Sequence, residues 1–135
     1  MAAGQGEAAS DVAQELLAEW LDRARGHSLA SFWVADLTFA LVELGRADEL
    51  MDATSRTPTK TRWLEAAQAA CSGDWRRAAS TFSRVGSLPD EALARLRAAA
   101  DLEAADAPEE AEDERRRASA FYREVEAVSY VAAVE

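Results

Sequence analysis

The side chains able to do chemistry are few and widely spaced. His27 is the sole histidine and Cys71 the sole cysteine. A histidine holds a metal only with other ligands beside it. The nearest carboxylate, Asp22, falls on a different helical turn, so His27 reads as a surface residue of the Gly26–Ser28 loop. Cys71 closes an alanine-rich segment with no base at hand and reads as a small packing residue, not a nucleophile. A lone cysteine also excludes an internal disulfide and a thiolate metal site within one chain. Asp36 interrupts the most apolar stretch. A carboxylate buried there must find a partner or rise in pKa, which leaves a hydrogen bond between helices, a solvent-facing position or a catalytic base as its alternatives.

Eight acids crowd the stretch from Asp101 to Glu114, but around Pro108 and not around the glycine-containing turn of a calcium loop, so they read as a solvated helix face. Arg115, Arg116 and Arg117 are consecutive, so on a helix they point in different directions and make no phosphate clamp. Gly4-Gln5-Gly6 follows no strand, and no GxxxxGK[ST], HExxH or GxSxG pattern occurs. The expectation is a chain that is not an enzyme, with no catalytic residues, no metal and no cofactor.

What must position such residues is a helical scaffold. The chain has 135 residues and a formal charge of −10. It has 32 Ala and 13 Leu, many Glu and Arg, and no Ile, a balance that favours helix over sheet. The larger apolar residues suffice for one domain, and their spread along the chain excludes wholesale disorder. The acidity repels phosphate backbones and anionic membrane surfaces, which argues against direct nucleic-acid binding or membrane association. Met1 to Ser10 has neither the basic nor the apolar region of a secretory signal. Phe32 to Leu44 is too short and too charged to span a bilayer, so a cytoplasmic protein is expected.

Periodicity places seven helices after a disordered lead over 1–9, in one domain over 10–135. Ser10 is the expected N-cap of the first helix, Asp11 to Arg25, in which Val12, Leu16 and Trp20 run beside Ala13, Leu17 and Leu21. Ser28 caps the second, Leu29 to Leu44, apolar nearly all round and therefore covered on more than one side. A short helix over 47–53 and a fourth over 61–72 follow. The fifth begins after Asp74 and ends at Gly86, with Trp75, Ala78, Ala79, Phe82 and Val85 as its stripe. The sixth opens at Ser87-Leu88-Pro89-Asp90 and packs through Leu93, Leu96, Ala100 and Leu102. Asp106-Ala107-Pro108 separates it from the seventh, about 109–128, with a stripe of Ala118, Phe121, Tyr122 and Val125 and the i,i+4 pairs Glu112–Arg116 and Asp113–Arg117. Ser129 to Glu135 looks like the start of another helix. Short connections imply antiparallel hairpins over 29–53, 61–85 and 90–127.

The run Gly73-Asp74-Trp75-Arg76-Arg77-Ala78-Ala79-Ser80-Thr81-Phe82-Ser83-Arg84-Val85 resembles the second half of a tetratricopeptide repeat. Pro89 falls near the place where such a repeat ends. Arg62 stands where the pattern has a tryptophan, with Trp63 one place on, and Ala107 replaces the turn glycine of the third hairpin. Residues 29–130 are further similar to the C-terminal helical-repeat arm of large bacterial signalling ATPases and helix-turn-helix transcriptional regulators. Leu44-Gly45-Arg46-Ala47-Asp48-Glu49-Leu50, Gly86-Ser87-Leu88-Pro89-Asp90-Glu91-Ala92 and Ala120-Phe121-Tyr122-Arg123-Glu124-Val125 carry that similarity. The resemblance implies an all-α fold, a short right-handed α-solenoid of hairpins, and a non-catalytic regulatory arm that grips a protein or peptide. An ATPase, cyclase or DNA-binding module outside this chain is the implied partner. That family's groove positions fall on Lys60, Trp63, Ala67 and Ala70, and in the third hairpin on Arg97 and Asp101. The alternative is a self-associating structural domain with no peptide groove, a homodimer through its terminal hairpins.

Overall fold

The structure, a computed structural model, describes residues 3–24, 33–58 and 60–125. Among them are seven helices and no strand: α1 (Ala3–Ala24), α2 (Val34–Glu43), α3 (Ala47–Ser55), α4 (Arg62–Cys71), α5 (Trp75–Val85), α6 (Leu88–Ala104) and α7 (Pro108–Glu124). The all-helical class expected from composition is what the described residues adopt. It divides into two compact units at Gly73/Asp74, α1–α4 in the first and α5–α7 in the second. That boundary falls at the turn of the hairpin predicted over 61–85.

In the first unit α2 touches α1, α3 and α4. This is the covering on several sides that its all-round apolar sequence demands. Val34, Leu37 and Leu41 join Ala13 and Leu17 of α1, Leu50 and Ala53 of α3, and Leu64 and Ala67 of α4 in one core, with Trp33, Leu44, Trp63 and Cys71 packed at its margin. Buried polar groups are paired within it. The Thr38 hydroxyl donates to the Val34 carbonyl at 2.6 Å, and Gln68 Nε2 donates to Thr54 Oγ1 at 3.1 Å, tying α4 to α3. Asp36 is exposed on α2 and is no buried base.

The first helix begins at Ala3 and not at the expected Ser10 cap. Glu7, Ala8 and Ala9 are strong helix formers and nothing at Ser10 halts them. Ser10 instead serves Arg46: Arg46 Nη1 donates to the Ser10 carbonyl at 2.9 Å and to its hydroxyl at 2.8 Å, while Nε and Nη2 grip the Glu49 carboxylate at 2.7 and 2.8 Å. The hydrogen bond to Glu49 raises the Arg46 pKa, and the same contact holds the Glu49 carboxyl below its usual range. His27, the Ser28 cap, Leu29, Phe32, the segment 126–135 and the side chains of Trp20 and Leu21 lie outside the described residues.

In the second unit α6 packs on both α5 and α7. Asp74 Oδ1 accepts from the Arg77 amide and caps α5, as its position predicted. Gly86 ends the helix at φ +80, with the Ser87 amide reaching back to the Phe82 carbonyl. The same turn closes α6, but there the left-handed residue is Asp106 at φ 60, with Ala107 donating to the Leu102 carbonyl. The role assigned to the Ala107 position therefore belongs to Asp106. Two packing stripes also differ from expectation. On α6 the buried residues are Ala92, Ala94, Ala98 and Ala99, while Leu93, Leu96 and Leu102 are half-buried and Ala100 is exposed. On α7 Ala118 and Tyr122 are buried with Ala111, Glu114 and Ser119, and Val125 is exposed. Alanine on facing surfaces lets helix axes approach closely, which pushes the longer side chains to the flanks.

Candidate interaction surface

In the first unit, Lys60 is exposed just before the Thr61 cap, whose hydroxyl accepts from the Leu64 amide at 3.2 Å. Trp63, in the first turn of α4, is half-buried against the core margin. Ala67 and Ala70 share its helix but are fully covered. They belong, with Leu64, Ala66 and Ala69, to the buried side of α4. Cys71 packs beside the same core. Burial, helped by the charge of Asp48, pushes its thiol up to about 11, so it is protonated and unreactive near neutral pH.

In the second unit, Arg97 is half-buried and Asp101 exposed, four residues apart on α6. The groups that do converge are others. Glu114 of α7 is a carboxylate with only 3% of its side chain exposed, and it takes two arginines. Arg95 Nη1 of α6 lies 2.8 Å from one oxygen and Arg76 Nε of α5 lies 3.2 Å from the other. Arg95 also holds Glu91 at 2.6 Å, and Arg76 holds Glu110 at 2.8 Å. Burial opposes the charge on Arg95, but hydrogen bonds and charge from Glu91 and Glu114 outweigh it and raise its pKa. Each member of this network satisfies another, so it ties three helices together. The acidic stretch expected as a solvated face thus carries a buried carboxylate at Glu114. The i,i+4 spacings of Glu91–Arg95 and Glu110–Glu114 were legible, but Arg76 lies more than thirty residues away from its partners.

Further along α7, Asp113 pairs with Arg117 as expected, at 2.9 Å. Arg116 also turns to Asp113 and not to Glu112, while Arg115 crosses to Glu103 of α6. At the other end of these two helices an open pocket of about 200 Å³ lies among Leu88, Glu91, Ala92, Arg117, Ala120, Phe121 and Glu124. Its lining residue Ala92 belongs to the small Ala92–Ala118–Tyr122 cluster, against which Leu96 and the lining residue Phe121 pack. Leu88 and, next to the lining residue Glu124, Val125 are large apolar residues left exposed.

Among the described residues no cluster of His, Cys, Asp and Glu could hold a metal, and no helix is long and apolar enough to cross a membrane. No protein-family model, curated protein or solved structure matches this chain.

Proposed function

We propose that this chain is a non-catalytic helical-repeat module that binds another protein, the regulatory arm of a bacterial signalling or transcriptional regulator acting in the cytoplasm. The observation that carries the reading is the α6–α7 pocket, in which the exposed Leu88 with Ala92, Ala120 and Phe121 stands beside Glu91, Arg117 and Glu124. Exposed apolar surface rimmed by charge is what a docking site needs, and it is costly to keep bare. Local geometry supports the repeat resemblance over 73–86. Asp74 caps, Ala78 and Phe82 are buried, and Gly86 takes the left-handed turn. The pairing order supports an antiparallel α6–α7 hairpin of the solenoid kind: Glu103 late in α6 meets Arg115 early in α7, whereas Leu88 and Phe121 share the pocket at the opposite ends.

Purification from the native host with mass-spectrometric identification, followed by calorimetry on the purified pair, tests this. Leu88→Glu should weaken the reconstituted complex about tenfold or more, since a charge then replaces a buried anchor. Trp63→Ala tests the resemblance-derived groove in the same assay. A complex that tolerates both substitutions refutes the surfaces named here, and a specific turnover activity in the pure chain refutes the non-catalytic reading.

A further inference from the structure

Two of the large apolar side chains left exposed among the described residues stand together on α1: Val12 is 55% exposed and Leu16 37%. They lie one turn apart, next to the row Ala13–Leu17 that is buried in the core of the first unit. The apolar sector of α1 is thus wider than the side its neighbours cover. On the other flank of Val12 and Leu16 runs a row of exposed acids four apart, Glu7, Asp11, Glu15 and Glu19. Like charges at that spacing repel one another along a helix. Among the described residues Glu7 and Glu15 have no ion-pair partner. Arg46 senses the charge of Asp11, but its guanidinium is taken up by Glu49 and Ser10.

We propose that this face of α1 docks a basic amphipathic helix of a partner protein. Val12 and Leu16 supply the apolar contact, and the acids beside them select the occupant. It is a segment whose apolar residues recur at helical spacing, with Lys or Arg along one flank. Laid along α1, such a helix sets its side-chain rows between those of α1 and brings its cations beside Glu7, Asp11 and Glu15. Glu7 and Glu15 stand about 12 Å apart along the axis, so about two to three turns of the partner span the row. The partner's charge relieves the repulsion that α1 bears alone, and the association therefore weakens with salt. A second copy offering α1 to α1 would set acid against acid, in a chain whose net charge is already −10. This surface belongs to the first unit, and the inference does not rest on the α6–α7 pocket of the second.

Fluorescence anisotropy of a labelled model peptide titrated with the full chain tests this. The peptide is a leucine–lysine helix of about 18 residues, long enough to hold its turns, with leucines on one face and lysines on the other. It should bind the wild type, and a version with glutamate in place of every lysine should not. Leu16→Ser should weaken binding about tenfold, and Val12→Ser gives the same readout if that variant loses helicity by circular dichroism. Glu7→Gln with Glu15→Gln should weaken it about fivefold and flatten its salt dependence. Asp101→Asn with Glu109→Gln removes the same charge from exposed positions of the second unit, and should change binding less than about twofold. Equal losses from the two double variants would mean that the peptide answers only to overall acidity, and would overturn the proposal. So would a lysine peptide that fails to bind, one indifferent to Leu16→Ser, or a wild type that dimerises through α1 in sedimentation velocity. Leu88→Glu should leave this binding unchanged, so a negative result here leaves the interaction-module reading to its own test.

Discussion

Replacing Glu114 by glutamine should loosen α7 from the second unit. The substitution preserves shape and removes the charge that two arginines share. Breaking a buried ion pair from one side costs about 3–5 kcal/mol when the remaining charge has no other partner. Here the remaining charges are partly served. Arg76 has 56% of its side chain exposed and keeps Glu110, so its share is that of a surface pair, under about 1 kcal/mol. Arg95 is only 15% exposed but keeps Glu91. The expected loss is therefore about 2 kcal/mol, below the range for an orphaned charge. Native-state hydrogen exchange reads this unit by itself. Slow amides of α7 should exchange about 30-fold faster in Glu114→Gln, since about 1.4 kcal/mol is a factor of ten. Arg95→Met in the same assay should couple to Glu114→Gln by about 1 kcal/mol or more, because both remove one contact. A Glu114→Gln protein within about 0.5 kcal/mol of wild type, or additive single variants, would show that this carboxylate does not hold α7.

Three smaller perturbations follow from backbone and titration. Gly86→Ala should cost about 1 kcal/mol in urea denaturation, entirely from its φ of +80, because an added Cβ would meet nothing within 4 Å. Asp106→Gly should stabilise by about 0.5–1 kcal/mol, since it relieves a left-handed non-glycine residue; a loss of stability would mean that the aspartate side chain supports the turn. The Cys71 thiol, at about 11 against a usual 9.0, stays protonated in the folded chain at pH values where the unfolded chain ionises. The stability this contributes is complete below pH 9.0 and is lost as pH rises from there toward 11. Iodoacetamide at pH 8 should accordingly label the native thiol on the order of a hundredfold more slowly than the unfolded one, and equal rates would place Cys71 in solvent.

Local chemistry fixed much of the scaffold before any tertiary contact entered. Ala, Leu, Glu and Arg dictate helix; Gly86 and Pro108 mark boundaries because each demands or forbids a backbone conformation, and Asp74 because its side chain can accept a backbone amide. The all-round apolar α2 announced that it would be covered on several sides, and of the fifth-helix stripe Trp75, Ala78, Ala79 and Phe82 are buried and Val85 half-buried. Packing depth was another matter. Periodicity names a face, but whether the large or the small residues on it meet the neighbour depends on how near the axes come. The alanines of α6 are therefore buried while Leu93, Leu96 and Leu102 are half-buried, and Ala67 and Ala70 of α4 are buried too. Charge pairing between distant helices is equally invisible along the chain. Glu114 lies among solvated acids in sequence, and only the docking of α5, α6 and α7 brings Arg76 and Arg95 to it and excludes water. Conformation was encoded residue by residue; the surfaces left exposed and the charges that are buried were settled when the helices met.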